Sequence, residues 1–124
     1  MTQADKLKNI LNTFEEVEFA YLFGSFTSGE FNERSDIDVA VYLKKDLNFF
    51  DTKLAIHHQL EIDLQRDIDL IVLNQIKNFD LLKDILDKGV LLKDSANDVR
   101  VMFELDKHHE ILDYKAFQRM IDVA

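Results

Sequence analysis

The sequence predicts a mixed α/β fold: a small central sheet flanked by helices, with a long helix at the C-terminal end. Three observations carry this. Short apolar runs of strand length alternate with stretches whose apolar residues recur at helical spacing. Two of the runs carry aspartates at alternate positions, as a pleated strand with two different faces does. The chain has 124 residues and is 47% hydrophobic, enough for one domain with a core of its own. A single domain over residues 1–124 is expected, with its core at about 5–93 and a terminal helix at about 98–123.

The elements follow in order. Leu7, Ile10, Leu11 and Phe14 form an i, i+3, i+4, i+7 stripe, so residues 2 to about 14 are expected as an amphipathic helix. Val17 to Phe23 reads as a strand. Gly24-Ser25 turns it into a short helix, Ser25 to Phe31, with Ser25 near the N-cap. Asn32 to Ser35 is a loop, Asp36 to Leu43 a second strand, and Lys44 to Asn48 a turn. From Phe49 to about Gln65 the pattern is helical again, with Asn48 or Asp51 as the cap. Ile68 to Leu73 is a third strand, and Asn74-Gln75 a turn. Phe79, Leu82, Ile85 and Leu86 mark a helix closed by Gly89 as a C′ residue. Val90 to Leu92 is a short strand, residues 94–97 a break, and about 98–123 the long helix. No repeat or low-complexity segment is present.

Composition narrows the function. With no cysteine, disulfides and thiolate metal sites are excluded, as suits a cytoplasmic protein. The opening Met1 to Lys6 contains no apolar segment of the kind a signal peptide needs, and no apolar run approaches membrane-spanning length. The formal net charge is −9, with 24 carboxylates against 15 bases. A protein that grips a polynucleotide draws affinity from phosphate neutralisation by clustered Lys and Arg. No cluster here exceeds Lys44-Lys45, which weighs against a polymerase or an RNA-tailing enzyme. A small nucleotide with a protein or small-molecule acceptor fits better, although acidity also serves solubility alone.

The chemistry concentrates in Tyr21-Leu22-Phe23-Gly24-Ser25 and, about ten residues on, Ser35-Asp36-Ile37-Asp38-Val39. Alternation puts Asp36 and Asp38 on one face and Ile37, Val39 and Val41 on the other. Two carboxylates side by side repel each other and are costly to bury without a cation; as hard oxygen ligands they suit Mg²⁺. A Gly-Ser turn leading into a helix brings backbone N–H groups against a phosphate, and Gly24 has no Cβ to block the approach. Asp69 interrupts the apolar run Ile68 to Leu73 and is the natural third carboxylate; Asp67, two residues earlier on the same face, competes for that role. The pairs His57-His58 and His108-His109 lack a metal-binding spacing with a partner set. Arg34 either orients a phosphate or solvates a loop, and Lys44, Lys45 and Lys53 receive no role. The final helix, apolar on several sides, reads either as a packed closing helix or as a docking surface.

Gly-Ser, about ten residues, Asp-x-Asp and a later strand carboxylate together resemble the nucleotidyltransferase superfamily of DNA polymerase beta. Over residues 5 to 93 the layout is most similar to the minimal nucleotidyltransferase (MNT) antitoxins. The resemblance implies the polymerase beta-like fold, with two Mg²⁺ ions about 3.5–4 Å apart on Asp36, Asp38 and Asp69. It implies ATP as co-substrate, its triphosphate held by Gly24 and Ser25, and Asp69 as base toward the acceptor hydroxyl. It further implies a type VII-like antitoxin that transfers AMP to a tyrosine hydroxyl of a HEPN ribonuclease toxin, in a hetero-oligomer with that toxin. Two alternatives stand beside it. One is an antitoxin acting by occlusion. The other is a transferase with a small-molecule acceptor such as an aminoglycoside, a class that usually carries an added helical domain for which this chain is short.

Overall fold

The computed structural model describes residues 2–24 and 36–123. The expected short helix at 25–31 and the loop at 32–35 lie outside these residues, and with them Ser25, Gly29 and Arg34. The first helix, α1, spans Gln3–Asn12. Thr2 caps it in a reciprocal box with Asp5: the Thr2 hydroxyl accepts from Asp5 N–H, and the Asp5 carboxylate from Thr2 N–H. It stops two residues before the expected end. Thr13 N–H turns back to the Ile10 carbonyl at 3.0 Å, and the Lys93 ammonium donates to the carbonyls of Leu11 and Phe14 at 3.3 and 2.8 Å. A cation at a helix C-terminus satisfies orphan carbonyls and complements the dipole. Burial there lowers the Lys93 pKa.

Strands β1 (Val17–Phe23), β2 (Ile37–Leu43), β3 (Ile68–Val72) and β4 (Val90–Lys93) form one sheet in the order β3-β2-β1-β4. The pairings β1–β2 and β1–β4 are antiparallel; β2–β3 is parallel. Helix α2, Phe49–Leu64, supplies the crossover between the parallel pair, with Asn48 as its cap. The third strand ends one residue earlier than the apolar run suggests, and Leu73–Gln75 forms a 3₁₀ turn. The Asn74 amide explains the stop. It accepts from Leu43 N–H at 2.8 Å and donates to the Leu43 carbonyl at 2.9 Å, taking the place of a further ladder residue. Helices α3, Phe79–Lys88, and α4, Val99–Val123, complete the described elements.

The sheet is covered on both faces. Leu7 and Leu11 of α1 and Ile56, Leu60 and Leu64 of α2 pack on Ile37, Val39, Val41 and Leu70. On the opposite face Leu82 and Ile85 of α3 and Phe103 and Ile111 of α4 pack on Phe19, Tyr21, Phe23 and Ala40. A register shift between Val17 and Phe19 puts these two residues in different cores although both are odd-numbered. Tyr21 fastens α4 to the sheet: its hydroxyl donates to Glu104, which also takes both 3.1 Å bonds from Arg100. Burial and the Glu104 carboxylate push the Tyr21 pKa upward.

Gly89 caps α3, but not in the left-handed conformation expected of a C′ glycine. Its φ is −65° and its ψ 148°, an extended conformation open to most residues. Glycine is needed for space, because a Cβ would strike the Ile85 carbonyl oxygen.

Candidate active site

The parallel pairing of β2 with β3 sets Asp38 level with Asp69, and the antiparallel pairing of β1 with β2 sets Phe23 level with Asp38. The end of β1 and the beginnings of β2 and β3 therefore lie at the same edge of the sheet. Adjacent strands are about 4.8 Å apart. Asp38 shares its face with Ala40 and Tyr42, and Asp69 with Ile71 and Leu73; this is the face that α3 and α4 cover. Ile37, Val39 and Val41 point into the α1–α2 core, as alternation requires. Asp36 precedes the first paired residue of β2 rather than belonging to the strand, because the ladder begins with Ile37 N–H donating to the Asp67 carbonyl at 3.0 Å.

Asp38 is half-buried, while Asp36 and Asp69 are exposed. Burial, then the charges of Asp69 and Asp36, then a hydrogen bond to Asp69 push the Asp38 pKa up to about 6. The three carboxylates are thus close enough to feel one another, and a protonated Asp38 donates to Asp69. Asp67, the competing candidate, is also exposed and contributes its backbone carbonyl to the first rung. Either a proton or a cation relieves such crowding. Among the described residues no group of three His, Cys, Asp or Glu side chains forms a ready cage for a metal. The donor set still fits Mg²⁺, which takes one or two carboxylates and completes its shell with water and substrate phosphates.

Gly24 stands at the end of β1 with φ +76°, the left-handed region where a side chain is strained. A Cβ there would run into the Asp38 carboxylate, 2.9 Å from its Cγ. Beyond the phosphate role that the motif suggests, the missing Cβ of Gly24 leaves room for Asp38, a contact invisible in a linear motif. Gly24→Val is therefore expected to weaken ATP·Mg²⁺ binding at least tenfold, and more than Ser25→Ala, which removes one hydrogen bond of about 0.5–1.5 kcal/mol. Calorimetric titration of both variants decides it, and an unchanged affinity for Gly24→Val refutes the placement.

His57 has a structural engagement: its Nε2 lies 2.8 Å from the Ile68 carbonyl and its Nδ1 3.3 Å from Glu61. It ties α2 to the start of β3, one residue before Asp69. No periodicity signals this bond, since it depends on how the helix is rotated over the sheet.

Residues 5–98 match the family model for polymerase beta nucleotidyltransferases. No curated protein sequence matches the chain. Several solved structures do. A toxin–antitoxin structure with AMP-PNP is 24% identical, with a TM-score of 0.79, covering 98% of this chain and 97% of that one. An MNT antitoxin in complex with a tri-AMPylated HEPN toxin of Shewanella oneidensis is 22% identical, with a TM-score of 0.72 and coverage of 98% and 97%. A MntA–HepT toxin–antitoxin structure is 23% identical, with a TM-score of 0.71 and coverage of 97% and 94%. At such identities these likenesses establish the shared fold.

Proposed function

The chain belongs to the polymerase beta nucleotidyltransferase family, and from that premise we propose that it transfers AMP from ATP to a tyrosine hydroxyl of a HEPN-domain toxin and so neutralises it. The observation that carries the reading is the meeting of Asp36, Asp38 and Asp69 beside the Gly24 turn. The acceptor is argued from the solved relatives, in which an antitoxin of this fold accompanies an AMPylated HEPN toxin. AMP-PNP in another relative supports ATP as the donor. The net charge of −9 fits a protein acceptor better than a polynucleotide. Among the described residues no helix is long and apolar enough to cross a membrane. We place the protein in the cytoplasm, in a hetero-oligomer with its toxin.

In the proposed reaction the tyrosine oxygen attacks the α-phosphorus, the bond to the β-phosphate oxygen breaks, pyrophosphate leaves, and the phenolic proton passes to Asp69. Gly24 and Ser25 hold the triphosphate. Asp36, Asp38 and Asp69 would hold Mg²⁺, which when bound neutralises the phosphate charge and makes pyrophosphate a better leaving group. Asp36 and Asp38 thus serve chiefly as ligands, and Asp69 as ligand and base. The test is to incubate the purified protein with labelled ATP, Mg²⁺ and a HEPN-domain toxin of the kind seen in the solved relatives. Label on a tyrosine of that protein, with one AMP of added mass per site, is expected; no label despite a stable complex overturns transfer in favour of occlusion.

A further inference from the structure

Helix α4 presents apolar side chains on two sides. One side, Val99, Phe103 and Ile111, packs into the core beneath the sheet. The opposite side carries Val101, Met102, Leu105, Leu112 and Met120, all exposed, Leu112 by 63% and Met120 by 72%. Steps of four and seven residues from Val101 through Leu105 to Leu112 keep these three on one line, the spacing with which helices pack on helices, and Met102 and Met120 lie to one side of it. Together they form the apolar centre that an interface of standard size, about 800 Å² per partner, is built around. Isolated exposed apolar residues need no explanation; a continuous line along a helix does.

We propose that this outer face of α4 docks the protein acceptor, and that the acceptor meets it with a helical, basic surface. The inference rests on the function proposed above and adds where the acceptor sits. Three features select this occupant. The line of apolar residues on a straight helix fits another helix. One edge is acidic, with Asp98, Asp106 and Asp113 all exposed, on a chain of net charge −9, while exposed Arg119 ends the apolar line seven residues after Leu112. In an antiparallel pair of copies of this chain that acidic edge would meet itself, so charge favours a basic partner over self-association. Finally, Asp38 and Asp69 open on the side of the sheet that α4 covers, so a body seated on α4 lies on the side of the reacting carboxylates. The exposed Phe50 and Leu54 of α2 lie on the other side.

The test uses the full chain with a HEPN-domain toxin, of the kind seen in the solved relatives, as probe. The double variant Leu105→Glu/Leu112→Glu, and separately Met120→Glu, alter exposed positions only. The double variant is expected to bind the probe at least 30-fold more weakly by calorimetry, with unchanged ATP·Mg²⁺ affinity and melting temperature. Leu54→Glu on α2 is expected to bind as wild type does. Binding by the double variant within threefold of wild type overturns the proposal, as does a loss confined to Leu54→Glu. A wild-type chain that is dimeric by sedimentation and made monomeric by the double variant also overturns it, in favour of a second copy. The two readings separate: binding through α4 without AMP on the probe leaves docking standing and refutes transfer, whereas AMP added equally by wild type and the double variant refutes docking and leaves transfer standing.

Discussion

Asp38→Asn is expected to give a folded protein that transfers no measurable AMP and that, in chelator at pH 8, is more stable than wild type. Both effects come from the same crowding. The carboxylate is held half-buried against Asp69 and Asp36, and its pKa is raised to about 6 from the ordinary 3.8. A raised carboxylate pKa means that the native state binds this proton more tightly than the unfolded chain does. Its charge therefore destabilises the fold above pH 6, and the penalty fades as the pH falls through 6 towards 4. Wild type should gain stability between pH 8 and pH 5 from this group, and the variant should not. With the side chain partly open to solvent, the difference at pH 8 is about 1 kcal/mol. Urea titrations of both proteins at pH 5 and 8 measure it. Loss of transfer, expected to exceed 10³-fold, follows from removing the central carboxylate of the set proposed to hold Mg²⁺. Turnover near that of wild type with Mg²⁺ would show that the site is misplaced.

The parts of this fold legible in the sequence are those written in local periodicity. Alternation separated Asp36 and Asp38 from Ile37, Val39 and Val41, and the structure sends the apolar set into the α1–α2 core. The helical stripes of α1 and α3 lie where the spacing of Leu7 and Ile85 puts them, whereas in α2 Ile56, Leu60 and Leu64 are buried but Phe50 and Leu54, read into the same apolar pattern, are exposed. What sequence reasoning misplaced depends on groups distant in the chain. The end of α1 is set by Lys93 and the end of β3 by a side chain that reaches Leu43. The register shift at Val17 to Phe19 is equally silent, because both residues are apolar and either face accepts them. At the candidate site the residue types and spacing were readable. Of Asp69 and Asp67, the register sets Asp69 level with Asp38, a placement that no local pattern in the sequence carries.

That register yields the sharpest separation of roles. Asp69→Asn is expected to keep ATP·Mg²⁺ binding within a few fold of wild type while cutting AMP transfer by a factor on the order of 10² or more, the scale of losing a positioned base. Asp69 is exposed at the start of β3, level with half-buried Asp38 and one residue past the Ile68 carbonyl that His57 holds. Its carboxylate is thus open to solvent and to an incoming hydroxyl, whereas Asp38 is half-buried against the Gly24 backbone. Asparagine keeps the size and one oxygen ligand of aspartate but cannot take up the phenolic proton, so binding and turnover should part company. The mutation also removes the charge that helps to raise the Asp38 pKa, so Asp38 should ionise more readily and nucleotide binding should not suffer from its protonation. Asp67→Asn, whose backbone carbonyl makes the ladder bond in either variant, should change transfer by less than about threefold, within the range of an exposed polar substitution. Calorimetry with ATP·Mg²⁺ and single-turnover transfer to the HEPN protein provide the two readouts. In cells that express the toxin, the Asp69 variant should still bind its partner yet fail to protect, and mass spectrometry should find no AMP on the toxin. Full protection by a variant that adds no AMP would mean that neutralisation proceeds by binding, and that the carboxylates serve some other end.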